Sequence, residues 1–262
     1  MLSATHGRFI WYDLMTTDQS AAIDFYTKVI GWTTQAWEGP IPDTIAYSMW
    51  MQGETEMGGL MDQPEGARAM GAPPYWLPYI ATDDVETTLE RALELGATLL
   101  AAVTSIPHVG RFAILADPQG AVFGAFTPND DPGQGPPPVI GEQSWHDLRA
   151  DDHAAALAFY SDLFDWQVID TMDMGPMGPY VMYGQRGRAY GGVCDKPATA
   201  PVASWLVYVR VADLDAAIAT ACELGGTLFH GPNVVPGGDR VAQLFDPQGA
   251  AFALHESNGG AN

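Results

Sequence analysis

The segment WYDLMTTDQSAAIDFYTKVIGW, from Trp11 to Trp32, returns in the same chain as WHDLRADDHAAALAFYSDLFDW, from Trp145 to Trp166. Matching tryptophans at both ends of both copies mark a tandem duplication, and a duplicated chain must fold as two similar halves. The correspondence continues. Tyr47-Ser48-Met49 answers Tyr180-Val181-Met182, Gly58-Gly59-Leu60 answers Gly191-Gly192-Val193, and Trp76-Leu77 answers Trp205-Leu206. DPQGA occurs at 117–121 and again at 246–250, after the second copy has lost a few loop residues. Between the halves, PNDDPGQGPPPVIGE is rich in proline and glycine, the composition of a linker. The expected organisation is therefore a first domain over 1–127, a linker over 128–142 and a second domain over 143–262.

Each half divides again. FIWYDLM alternates as a strand, Asp18 then caps a helix with Ile23, Tyr26 and Ile30 on one face, and Gly31 stops it. WTTQAW, IAYSMWM and EMGGLM follow as three strands. After DQPEGARAMGAPP the order recurs. YWLPYIA is a strand, a helix starts near Asp83 or Asp84 and ends at Gly96, and ATLLA, RFAIL and AVFGAF are strands. The last two are joined by a turn at Asp117-Pro118-Gln119-Gly120. This predicts an α+β fold of four βαβββ modules, two per half.

The chain has 262 residues, 47% of them hydrophobic, enough for a substantial core. Its net charge is −21 with only two lysines, Lys28 and Lys196. Such a surface repels phosphate backbones and anionic lipid, so neither nucleic acid nor a membrane is the expected partner. No apolar run reaches the length of a membrane span, and MLSATHGRF has neither the basic start nor the apolar stretch of a secretory signal. Cys194 and Cys222 form neither a metal-type spacing nor a disulfide framework. The expectations are a cytoplasmic protein, monomeric (as an internal pseudo-dimer) or homodimeric, whose partner is a small organic molecule.

WYDLMTTDQSAAIDFY, GRFAILADPQGAVF and the tandem halves resemble the vicinal-oxygen-chelate superfamily of glyoxalase I, bleomycin- and fosfomycin-resistance proteins and extradiol dioxygenases. Within it, they are most similar to the tandem glyoxalase-like proteins related to mycobacterial culture-filtrate antigens. The resemblance implies two cupped mixed sheets with helices outside and a site on each concave face. It also implies where a divalent ion would be held: Trp11, Leu77, Gly124 and a place near Gly59 in one half, and Trp145, Leu206, Ala253 and a place near Gly192 in the other. None of these side chains offers an oxygen or nitrogen donor suited to a divalent ion. No metal and no cofactor are therefore expected. The leading expectation is a metal-independent small-molecule-binding protein with an aromatic-lined cup. The alternatives are a metal-free lyase or isomerase, a metal-dependent glyoxalase-type lyase disfavoured by the vacant ligand places, and an interaction protein like the antigens.

Strand alternation identifies the cup-facing side chains. The ligand-binding candidates are Trp11, Asp13, Tyr79, Phe126, Trp145, Asp147, Arg149, Tyr208, Arg210 and His255, and the acid–base candidates among them are Asp13, Asp147, His255 and Tyr208. Aspartate is depleted inside strands, so Asp13 and Asp147 are either ligand anchors or carboxylates satisfied by protein hydrogen bonds. The tryptophans are either core or a stacking wall. His146 is read as a core histidine and His108 as a loop residue, with Arg111 and Arg240 in hairpin or inter-module ion pairs. Both cysteines are read as small apolar fillers. Pairing of modules within halves places His255 with Asp147. Pairing across halves places Asp13 with Tyr208, Arg210 and His255. Both remain open at the level of sequence.

Overall fold

A computed structural model describes residues 2–39, 46–69, 71–131, 133, 135–198, 200 and 202–259. Ile45 of the predicted strand IAYSMWM, Pro132 and Gln134 of the predicted linker, and the chain ends at Met1 and 260–262 lie outside the described residues.

The first module comprises β1 (Phe9–Thr16), α1 (Gln19–Val29), β2 (Thr33–Ala36), β3 (Tyr47–Gln52) and β4 (Thr55–Asp62), and is followed by the short α2 (Glu65–Ala69). The second comprises β5 (Tyr75–Ala81), α3 (Val85–Glu94), β6 (Thr98–Ile106), β7 (Gly110–Ala116) and β8 (Val122–Pro128). The third comprises β9 (Gln143–Ala150), α4 (His153–Phe164), β10 (Gln167–Asp173), β11 (Pro179–Gln185) and β12 (Arg188–Asp195). The fourth comprises β13 (Ser204–Arg210), α5 (Leu214–Glu223), β14 (Thr227–Val234), β15 (Arg240–Phe245) and β16 (Ala251–Glu256). In every module the opening strand pairs parallel with the closing one, and the intervening strands return antiparallel. The two sheets run β2-β3-β4-β1-β5-β8-β7-β6 and β10-β11-β12-β9-β13-β16-β15-β14. The predicted α+β fold of four βαβββ modules is what the chain adopts.

The same local chemistry builds each module. Asp18, Asp84, Asp152 and Asp213 cap the four long helices, accepting backbone N–H bonds from Ala21, Thr87, Ala154 with Ala155, and Ala216. Of the two aspartates predicted to start α3, Asp84 is the cap. Gly31, Gly96 and Gly225 follow α1, α3 and α5 at φ of 95°, 96° and 93°, where a side chain is strained. Asp165 takes the left-handed place after α4. The buried face of α1 is Ala22, Phe25, Tyr26 and Val29, rather than Ile23 and Ile30, which are only half-buried. The adjacent aromatic rings carry more apolar area than the isoleucines and turn the helix onto that face.

The chain forms two compact units. One is Met1–Ile10, Leu77–Pro136 and Trp145–Leu206; the other is Trp11–Trp76, Pro137–Ser144 and Val207–Asn262. Each unit joins modules from different halves. The first has a core of Phe123, Tyr160, Phe164, Trp166, Tyr183 and Trp205; the second is centred on Phe25, Tyr26, Trp32, Trp50, Trp76 and Phe252. The DPQG turns are more than hairpin connections. Asp117 accepts N–H bonds from Gln119 and Ala121, and Tyr160 of α4 donates to it at 3.1 Å. Asp246 accepts from Gln248 and Ala250, and Tyr26 of α1 donates to it at 3.0 Å. Burial raises both carboxyl pKa values despite these bonds. Within each unit, modules from different halves are thus joined by helix and aromatic packing.

The ion pairs of Arg111 and Arg240 differ in part from the expectation. Arg111 pairs with Glu86 of α3 within its own module, and Arg240 pairs with Asp215 of α5 and Glu256 of the β15–β16 hairpin. Each therefore ties a strand to the helix of its module, because the helix N-terminus presents acidic side chains beside that strand. Cys222 is exposed on α5 rather than packed, since Ala217 and Ala221 occupy the buried face.

Candidate functional site

Asp13 is 4% exposed on β1, beside Gly59 of β4. Its Oδ1 accepts from Trp11 Nε1 at 3.0 Å and Tyr47 Oη at 2.8 Å, while Trp11 Nε1 also approaches Tyr47 Oη at 2.9 Å. Trp11 and Tyr47 are only half-buried. Tyr47 and Trp50 lie three residues apart on β3 and face opposite sides. Trp50 packs on Tyr26 of α1, so the Asp13 cluster occupies the face away from that helix. Burial, and then the Asp13 charge, push the Tyr47 phenol far above its ordinary pKa, so it remains a proton donor to the carboxylate.

The second half repeats the cluster. Asp147, 6% exposed on β9, accepts from Trp145 Nε1 at 3.2 Å and Tyr180 Oη at 2.5 Å. Trp145 Nε1 lies 2.7 Å from Tyr180 Oη. Tyr183, three residues along β11, stacks instead on Trp166 of the core. Tyr47 and Tyr180 were not among the sequence candidates. Their signal was present, since they occupy the same place in YSM and YVM.

The other six candidates have neighbours of their own. Tyr79 lies over Gly124, its partner on β8, and packs edge-on against Phe112 and Phe126. Tyr208 accepts from Gln243 Nε2 at 2.8 Å. Arg210 donates to Pro138 O, and Arg149 is the β9 partner of Cys194. Burial raises the Cys194 thiol to about 11, which keeps it protonated and unreactive. His255 lies between Ser144 Oγ and Asp239 Oδ2, at 2.8 Å from each. Its polar partners are thus Ser144 and Asp239, neither of which was a sequence candidate. His146 is a core residue, stacked on Phe9 at 3.7 Å and bonded through Nδ1 to Tyr190 O. Burial lowers its pKa to about 4. His108 sits in the β6–β7 turn at a φ of 66°.

The places implied for metal ligands are filled by other side chains. A Cβ on Gly59 would collide with Tyr47 Oη and Asp13 Oδ1, one on Gly124 with the Tyr79 ring, and one on Gly192 with the Tyr180 ring. An acidic ligand does not fit at any of these three places. Trp11, Trp145, Leu77, Leu206 and Ala253 supply no suitable donor. A hollow of about 380 Å³ lined by His6, Thr82, Asp83, Thr88, Arg91 and Asp162, among others, includes none of the ten ligand-binding candidates.

Four βαβββ modules in two mixed sheets define a duplicated α+β protein. The chain belongs to the Glyoxalase/Bleomycin resistance protein/Dioxygenase superfamily, whose profile matches residues 8–124 and 143–254. It is 33% identical over 245 residues to CFP32 of Mycobacterium tuberculosis, a protein named for a suspected glyoxylase activity, covering 93% of this chain and 92% of that one. It is 30% identical over 261 residues to the anthracycline biosynthesis protein DnrV of Streptomyces peucetius, covering 95% and 93%. Among solved structures, it resembles a Mn(II)-bound glyoxalase from Novosphingobium aromaticivorans with a TM-score of 0.64 at 15% identity, covering 98% of this chain and 83% of that one. It also resembles 2,2',3-trihydroxybiphenyl 1,2-dioxygenase from Sphingomonas wittichii, with a TM-score of 0.66 at 12% identity and coverage of 96% and 91%. At such identities the structural likeness establishes the fold alone.

Proposed function

We propose that this chain binds a flat aromatic small molecule without a metal, using the Trp11–Tyr47 and Trp145–Tyr180 ledges. One observation carries the reading: the same indole–carboxylate–phenol cluster is built twice, with the carboxylate buried and the rings half-exposed. In this role Asp13 and Asp147 orient the rings, and the rings meet the ligand. A fixed aromatic face loses little entropy on binding and favours flat partners. The absence of donors at the family's ligand places supports metal independence, as does the lack of any group of three His, Cys, Asp or Glu side chains placed to hold an ion among the described residues. Similarity to a protein named for anthracycline biosynthesis supports a polycyclic aromatic ligand. We retain residues 1–127 and 143–262 as the two binding halves, because each sheet is drawn from one half. The chain acts as a monomer or homodimer, and no helix among the described residues is long and apolar enough to cross a membrane.

A second reading, metal-free lyase or isomerase chemistry, rests on the phenol–carboxylate pairs. Tyr180 and Tyr47 hold protons against Asp147 and Asp13 in positions suited to proton transfer. Fluorescence titration with an anthraquinone and with a saturated ring system of equal size tests the binding proposal. Saturable quenching by the anthraquinone alone is expected, and Trp11→Ala or Trp145→Ala should weaken it by about tenfold. No quenching by any flat aromatic ends the reading. Elemental analysis of untagged protein should find no stoichiometric divalent ion, and chelator should leave the thermal midpoint unchanged.

A further inference from the structure

We propose that Ser144 is a base-activated nucleophile served by His255 and Asp239, and that the chain hydrolyses small activated esters there. The three residues come from separated parts of the second half: the start of β9, the end of β16 and the residue just before β15. Ser144 Oγ and Asp239 Oδ2 lie on opposite ring nitrogens of His255, each at 2.8 Å. Asp239 is itself held in place, accepting from Asn258 N at 2.8 Å and Ser257 Oγ at 3.3 Å. Burial pushes its pKa up, but these bonds together with His255 outweigh burial and hold it below the ordinary carboxylate value.

An ionised Asp239 keeps the proton on His255 Nε2, leaving Nδ1 with its lone pair towards the Ser144 hydroxyl. That hydroxyl's other contact, Tyr208 O at 3.4 Å, is longer and weaker. The relay remains open to a small reactant, with the His255 and Asp239 side chains 16% and 33% exposed and Ser144 half-buried. The duplication supplies an internal reference. At the matching places the first half carries Ile10, Gly110 and Phe126, none of which has a side chain able to move a proton.

The reaction follows from the arrangement. Ser144 Oγ attacks the ester carbonyl carbon as its proton passes to His255 Nδ1. The C–O bond to the leaving group breaks, and His255 returns the proton to the departing alkoxide or phenoxide. Water then attacks the acyl-serine and gives its proton to His255. Ser144 leaves with that proton, and the net change is ester plus water to acid plus alcohol.

The test is the rate and site of labelling by diisopropyl fluorophosphate, read by intact mass and peptide mapping, together with release of p-nitrophenol from p-nitrophenyl acetate. The expected result is one adduct at Ser144 and none in Ser144→Ala. Labelling should fall about 100-fold or more in His255→Gln. Asp239→Asn should lose labelling in the same way, while Asp239→Glu, which keeps the charge, restores a measurable part. That rescue marks Asp239 as a positioning residue rather than a scaffold. Ser144→Cys guards against variants that fail to fold, with the exposed Cys222 of the same chain as the reference thiol. Iodoacetamide should alkylate Cys at position 144 at least tenfold faster than Cys222. Absence of a Ser144 adduct in the wild-type chain, equal labelling in His255→Gln, or alkylation no faster than at Cys222 overturns the proposal.

Discussion

Where the second half assembles Ser144, Asp239 and His255, the first half holds Ile10, Gly110 and Phe126, on strands with the same order and register. Phe126 lies so close over Gly110 that a Cβ there would strike the ring, and Tyr79 packs edge-on against it. One copy is an apolar plug. The other is a polar relay whose members each have a hydrogen-bond partner, as side chains removed from water require. The duplication therefore fixed the backbone and left the sheet face free to diverge. The three differences belong together physically, because a lone His255 against Gly110 and Ile10 would lack those two side-chain partners.

The largest expected effect comes from converting one copy into the other. Asp239→Gly combined with His255→Phe should reduce Ser144 labelling by roughly 100- to 10,000-fold, the range of a lost general base, while the chain stays folded by circular dichroism. Retained labelling would break the comparison.

The next contrast is His146, whose counterpart in the first half is Tyr12. The folded pKa of His146, about 4, lies below the unfolded value of about 6.5. Above pH 6.5 both states are neutral and the group contributes no pH dependence. Below it the unfolded chain binds a proton that the folded chain refuses, so stability falls as pH drops towards 4, by about 3 kcal/mol in all. Thermal midpoints from pH 7 to pH 4 should show this loss, and His146→Tyr should remove most of it. An unchanged acid limb in the variant would assign the sensitivity elsewhere.

A smaller effect should be shared by both units. Tyr26→Phe leaves the Asp246 carboxyl and the Trp76 indole short of a buried partner, and Tyr160→Phe does the same to Asp117. Each should cost about 1–3 kcal/mol in urea unfolding. A large inequality between them would show that the two cores differ more than their sequences do. The smallest effects belong to the helix caps. Asp18→Ala and Asp213→Ala should each cost about 1 kcal/mol in the same assay and leave ligand binding and labelling unchanged.

The repeat, the capping aspartates of α1 and α3 and the glycines that end those two helices were legible because each depends on residues close in sequence. A strand's alternation, a helix's first turn and a DPQG turn are local events, and they recur wherever the local sequence recurs. The candidate site was legible only in part. Alternation identified Trp11 with Asp13 and Trp145 with Asp147. It did not identify Tyr47 and Tyr180, which reach those carboxylates from other strands.

What the chain determined by itself was therefore the module, its fourfold count and the pairing of Trp11 with Asp13 and of Trp145 with Asp147 along their strands. Tertiary closure decided which modules share an aromatic core, that Asp117 and Asp246 lie beneath tyrosines from helices of the other half, and that Ser144, Asp239 and His255 meet. These contacts join residues 43, 220 and 111 positions apart in the cases of Tyr160 with Asp117, Tyr26 with Asp246, and Ser144 with His255. Local propensity does not encode proximity over such distances. It arises when buried apolar area and satisfied polar groups select one packing of the modules over the alternatives.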